Sequence, residues 1–135
     1  MKKNFCIIVA NYYPEFSRNL VSGASRILRK KGIKNFKKIV VPGIFEIPVI
    51  IAKNIDKYDA FIALGCVIKG ETPHFEFISK STIDALMHLS ITYKKPIGNG
   101  IITCLNKKQA LMRSDPFKKD KGGESAKAAL TVLEI

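Results

Sequence analysis

The chain has 135 residues and carries 23 Lys plus Arg against 11 Asp plus Glu, a formal net charge of +12. That length predicts one domain, residues 1–135, that buries roughly two thirds of its unfolded surface without needing disulfides or a structural metal. With 47% hydrophobic and 25% charged residues, the composition excludes intrinsic disorder.

The first expected strand, Phe5 to Ala10, is an unbroken apolar run. Although Lys2-Lys3 precede it, the run is shorter than a signal peptide's core and ends in Asn11-Tyr12-Tyr13-Pro14 without a small-residue cleavage site, so a cytoplasmic protein is expected. No segment reaches the ~20 apolar residues of a membrane span. A helix follows, with Phe16, Leu20, Ala24, Ile27 and Leu28 at helical spacing and Gly32 as its C-terminal stop. The second strand is expected at Ile39 to Val41, and a helix near Glu46-Ile47-Pro48 to about Lys53, with Pro in the first turn. Ala60 to Leu64 reads as the third strand. A long helix after Pro73 carries Phe77, Ile78, Ile83, Leu86, Met87 and Leu89 until Pro96, with His88 at core-flanking spacing and structural. Gly100 to Thr103 reads as the fourth strand, Asn106 as the N-cap of a helix from Lys107 to Met112, and Gly123 to Leu133 as a last helix with Ala126, Ala129, Leu130 and Leu133 on one side. Strands without polar alternation, separated by amphipathic helices, predict a flavodoxin-like α/β three-layer sandwich: four parallel strands covered by helices on both faces.

Cys6, Cys66 and Cys104 lie far apart inside apolar runs, without CxxC pairs or a neighbouring His, and read as buried free thiols of a reducing compartment. The positive charge admits a nucleic-acid partner, but its make-up of 19 Lys and four Arg, with the lysines in scattered doublets, reads better as solvated surface.

In folds of this kind ligands sit outside the carboxyl ends of the strands. There Gly65 and Gly70 bracket a turn that leads through Thr72 to a helix start at Pro73-His74, an arrangement suited to anions. No P-loop or GxGxxG occurs. His74 is placed to transfer protons near neutral pH, or is a surface histidine. Glu46 is either a capping charge or an acceptor for substrate hydroxyls. Tyr12 either stacks on a flat ring or closes the core. Arg113, alone in the second half of the chain, suits bidentate phosphate binding or is a helix-end charge. Cys66 at a strand end reads as a small buried thiol rather than a nucleophile, which would need an adjacent base.

Pro42-Gly43-Ile44-Phe45-Glu46-Ile47-Pro48, Ala63-Leu64-Gly65-Cys66-Val67-Ile68-Lys69-Gly70-Glu71-Thr72-Pro73-His74-Phe75, Asn99-Gly100-Ile101-Ile102-Thr103 with Gln109-Ala110 and Arg113, and Lys121-Gly122-Gly123-Glu124 together resemble the lumazine synthase family, in order and over almost the whole chain. The resemblance implies the penultimate step of riboflavin biosynthesis, without metal or cofactor. In that step 5-amino-6-(D-ribitylamino)uracil condenses with 3,4-dihydroxy-2-butanone 4-phosphate to give 6,7-dimethyl-8-ribityllumazine, phosphate and water. It also implies roles for single residues. Tyr12 stacks on the pyrimidine, Ile44, Phe45 and Glu46 hold the ribityl chain, and Cys66, Val67 and Ile68 line the ring pocket. Glu71 and Thr72 offer N–H groups to the phosphate beside Arg113 and Lys121, and His74 transfers protons. Asn99 belongs to a wall contributed by a neighbouring subunit. The resemblance further implies a homopentamer with shared sites, an icosahedral shell of pentamers as an open possibility, and riboflavin synthase as a partner. The rival reading is a non-catalytic flavin or lumazine carrier, or a basic nucleic-acid-binding module.

Overall fold

The computed structural model describes residues 3–135, so Lys2 of the N-terminal basic pair lies outside the described residues. Strand β1 (Phe5–Ala10) is buried at every position. Its side chains alternate faces: Phe5, Ile7 and Val9 enter one core cluster, and Cys6, Ile8 and Ala10 the other. A strand buried on both faces has no position for a polar side chain, which is why the run is wholly apolar.

The other strands are β2 (Lys37–Val41), β3 (Ala60–Ile68) and β4 (Ile97–Cys104). All pairings are parallel, in the order β2-β1-β3-β4, with Ile8 between Ile39 and Ala63. Helices α1 (Pro14–Lys30), α4 (Lys107–Ser114) and α5 (Lys121–Glu134) pack on one face, and α2 (Ile47–Lys53) and α3 (His74–Tyr93) lie on the other. This is the expected flavodoxin-like three-layer fold. Helix α1 buries Phe16, Leu20, Ala24, Ile27 and Leu28 as its spacing predicts. Gly32 stops it at φ +84°, a backbone conformation open to glycine at little cost. Asn106 caps α4 by accepting from the Gln109 N–H at 2.9 Å. Helix α5 starts two residues earlier than expected because Asp120 accepts from the Gly123 N–H at 3.0 Å and caps it.

Four expectations need correction. Residues Gly65–Ile68, read as part of a turn, continue β3, because the ladder to β4 holds from Phe61↔Ile97 to Ile68↔Cys104. Gly65 serves close packing instead: a Cβ there would stand 2.6 Å from Ile44 Cγ2. Strand β2 is an edge with Lys37, Lys38 and Val40 exposed, so cover on both faces holds for the central strands and not for it. Helix α3 buries only Thr82 and Leu86. Of the apolar stripe expected in the core, Ile78, Ile83 and Leu89 are half-buried against the α2 side, while Phe77 and Met87 are exposed, as is Ile91. His88 is exposed as well, rather than flanking the core. The helix ends as expected ahead of Pro96: Lys94 caps it in the left-handed region (φ 54°), and a proline just beyond the cap cannot continue the helix.

All three cysteines are buried free thiols. Among the described residues no helix is long and apolar enough to cross a membrane.

Candidate active site

The order β2-β1-β3-β4 reverses direction between β1 and β3, and a crevice opens outside the carboxyl ends of strands at such a point. A pocket of about 550 Å³ lies there, within the range of small-molecule sites. It is walled by Tyr12 after β1, by Ile44, Phe45 and Glu46 after β2, by Cys66, Val67 and Ile68 at the end of β3, and by Thr72 and His74 at the start of α3. Nine of the residues singled out from sequence therefore meet in one cavity.

Each is held by local chemistry. Pro42 and Gly43 turn the chain after β2 into a single 3-10 turn, Ile44–Glu46, anchored by buried Ile44. Glu46 Oε1 accepts from the Gly43 N–H at 2.9 Å, closing the turn. The capping role is thus present, and Oε2 has no hydrogen-bond partner among the described residues, so one carboxylate edge is left to a ligand. Tyr12 is 71% exposed and does not close the core. Its ring instead meets the Tyr13 ring edge-on, with centroids 4.9 Å apart, so one aromatic face is presented at the rim. Phe45, also exposed, stands on the β2 side.

At the opposite wall α3 begins at His74 without a side-chain cap. The first intrahelical acceptor serves Phe77, whose N–H reaches the Pro73 carbonyl at 3.2 Å. The earlier N–H groups precede the i−4 ladder at the positive end of the helix, an arrangement that stabilises an anion. Thr72 Oγ1 lies 3.4 Å from the His74 N–H. Lys69 and Glu76 pair at 3.6 Å across this connection, a half-exposed contact worth about 1 kcal/mol or less.

Cys66 is buried, and its thiol is pushed far up by its hydrogen bond with Cys104 and then by burial. It is a neutral wall and not a thiolate nucleophile. The Cys104 thiol is drawn down, first by Cys66 and then, against burial, by Arg113.

Glu71, Asn99, Arg113 and Lys121 do not line this pocket. Glu71 is exposed beside Thr72. Asn99 projects from edge strand β4, its side-chain oxygen accepting from the Ile101 N–H at 3.1 Å. Arg113 donates to the Thr103 carbonyl at 2.7 Å, which fastens one guanidinium nitrogen to the end of β4 and leaves the others available. Lys121 pairs with Glu124 at 3.0 Å. Conversely, Tyr13, Phe75 and Ile78 line the pocket without having been singled out. The signal for Ile78 was its place four residues after His74, on the same helix face.

Over residues 2–135 the chain matches the profile of the 6,7-dimethyl-8-ribityllumazine synthase family. The chain belongs to that family. Curated relatives named 6,7-dimethyl-8-ribityllumazine synthase agree in extent. The Agrobacterium fabrum protein is 42% identical, with 99% of this chain and 95% of the relative covered. The Bartonella bacilliformis protein is 44% identical, covering 96% and 87%. A relative from Rhodopseudomonas palustris, 6,7-dimethyl-8-ribityllumazine synthase 1, is 43% identical, covering 96% and 83%. In this lumazine synthase family member, the motifs from Pro42 to Pro48 and from Ala63 to Phe75 supply most of the pocket wall, while those carrying Asn99, Arg113 and Lys121 lie outside it.

Proposed function

We propose that the pocket condenses 5-amino-6-(D-ribitylamino)uracil with 3,4-dihydroxy-2-butanone 4-phosphate to 6,7-dimethyl-8-ribityllumazine, the penultimate step of riboflavin biosynthesis. The observation that carries this reading is the convergence, in a chain of this family, of an aromatic face, a free carboxylate edge and a histidine at an uncapped helix start around one cavity. The pyrimidine stacks on Tyr12, and its ribityl hydroxyls donate to Glu46 while the chain lies along Ile44 and Phe45. Cys66, Val67 and Ile68 form the inner wall. The phosphate of the second substrate sits at the N–H groups of Glu71, Thr72 and the first turn of α3.

The chemistry runs in three stages. The 5-amino group attacks the ketone, and water leaves as an imine forms. A proton is lost from carbon and the phosphate departs with the C–O bonding pair. The enol left behind takes up a proton on its terminal carbon and becomes a ketone, and the ribityl-bearing nitrogen closes the ring on this new carbonyl with loss of a second water. Every stage moves protons, and His74 is the side chain of the pocket with a suitable imidazole. Holding two substrates in one cavity supplies much of the acceleration.

Asn99, Arg113 and Lys121 complete the site from an adjoining subunit of a homopentamer. Two features support this: these residues lie outside the pocket of their own chain, and α3 exposes Phe77, Met87 and Ile91 as an uncovered apolar face. A head-to-tail ring places one subunit's β4 side against its neighbour's pocket. The cytoplasm is the compartment this reading implies, and buried unpaired thiols suit it. Mixing the two substrates and following lumazine absorbance together with phosphate release tests the proposal. Native protein accelerates both signals in parallel, and absence of acceleration overturns the enzyme reading.

A further inference from the structure

The chain contains four arginines, and three of them, Arg18, Arg26 and Arg29, line one groove of about 660 Å³. It runs along the exposed face of α1 beside edge strand β2, with Lys38 across from the arginines and Val21 and Val40 between them. The helical positions 18, 22, 25, 26 and 29 share a face, and eleven residues at 1.5 Å rise spread the outer arginines over about 16 Å. The groove shares no lining residue with the candidate active site. Its cations are therefore not those expected to meet the substrate phosphate.

Among the described residues, Arg18, Arg26, Arg29 and Lys38 form no ion pair, since the four pairs present are Lys3–Glu134, Lys69–Glu76, Lys80–Asp84 and Lys121–Glu124. Four uncompensated cations in one groove repel one another and attract a polyanion. Arginine is also the less common basic residue in this chain, and its planar fork matches phosphate oxygens in pairs. Arg29 is oriented in advance by the Phe36 ring, 5.4 Å from its guanidinium carbon. Exposed Ser22 and Asn11 add neutral donors. Among the described residues no aromatic ring lines the groove for a base to stack on.

We propose that this groove binds a linear chain of phosphates lacking bases, of the inorganic polyphosphate type. The test titrates labelled polyphosphate into the assembled native protein. Native protein binds, and Arg18→Gln/Arg26→Gln binds at least tenfold more weakly, with a plot of log affinity against log salt about one to two units shallower. Lys53→Gln/Lys57→Gln, which removes the same charge from exposed sites elsewhere, stays within twofold of native. Ser22→Glu, which places a negative charge in the groove without touching a cation, also weakens binding at least tenfold. Condensation activity and sedimentation confirm that each variant is folded and assembled. No binding by native protein, an equal loss in the Lys53/Lys57 variant, or tighter binding of single-stranded RNA at equal phosphate concentration each overturns the proposal.

Discussion

Gly65 controls the distance between the sheet and the turn that walls the pocket, so Gly65→Ala tests how the fold positions the site. The new Cβ would stand 2.6 Å from Ile44 Cγ2 and 3.1 Å from Ala10 Cβ. Carbon atoms in contact prefer about 3.5–4.0 Å, so the Ile44–Glu46 turn must retreat by about 1 Å. Overpacking of this kind costs about 1–3 kcal/mol, and a displacement of 1 Å at a binding wall is enough to lower turnover by up to about a hundredfold. Ile44 is 4% exposed, so Ile44→Ala alone loses about 2–5 kcal/mol through its cavity. In the double variant the methyl added at position 65 occupies space that the Ile44 side chain vacates. The combined loss should fall short of the sum by at least about 1 kcal/mol. Urea unfolding measures the three stabilities, and steady-state kinetics reports the wall. Unchanged stability and turnover in Gly65→Ala, or strict additivity in the double variant, would refute the close-packing argument.

His74→Ala should reduce kcat by about 10²–10⁴ while substrate binding changes little; a kcat equal to native removes the histidine from the chemistry. Burial raises the Cys6 thiol to about 11 from an ordinary 9. Below pH 9 the folded and unfolded chains hold this proton alike, and between 9 and 11 only the unfolded chain releases it. The resulting loss is at most about 3 kcal/mol as pH rises through that window. Native protein should therefore lose more stability than Cys6→Ala between pH 8 and 11, and parallel curves for the two would contradict this. Ile91→Glu, on the exposed face of α3, should weaken subunit contacts by at least about 2 kcal/mol per interface. Sedimentation should then show smaller species, and an unaltered mass would mean that α3 does not form the contact.

What was legible in the sequence divides along physical lines. Helix α1 and strand β1 bury their apolar residues within one chain, so periodicity placed them almost to the residue. The stripe on α3 is equally apolar, but pattern alone does not distinguish a face buried in the chain's own core from one left for another molecule. Gly65 reads as a turn in sequence because a glycine required by a close neighbour looks the same there as one required by a bend. The pocket residues were found through the strand-end rule and the family's motifs together. Arg113 and Lys121 carry motif identity but no local signal that they lie away from the pocket of their own chain. The basic groove has no sequence signature, because Arg18, Arg26 and Arg29 look like the solvated side of an amphipathic helix until edge strand β2 supplies a second wall.

Lys3 and Glu134 lie 3.9 Å apart, and the Asn4 N–H reaches the Asp59 carboxylate at 2.8 Å. These contacts gather the first and last described segments at the end of the sheet opposite the pocket. The exposed turn around Lys34-Asn35 lies at the same end, whereas the neighbouring turn from Ile55 to Tyr58 is tied down by Lys95, whose ammonium donates to both carbonyls. The chain is therefore suited to rewiring. Joining residue 3 to residue 134 through a short linker and cutting between Lys34 and Asn35 would give a circular permutant that leaves every pocket segment continuous. In any ring the chain forms, fused cargo at the new ends would start from the far end of each subunit, away from the substrates.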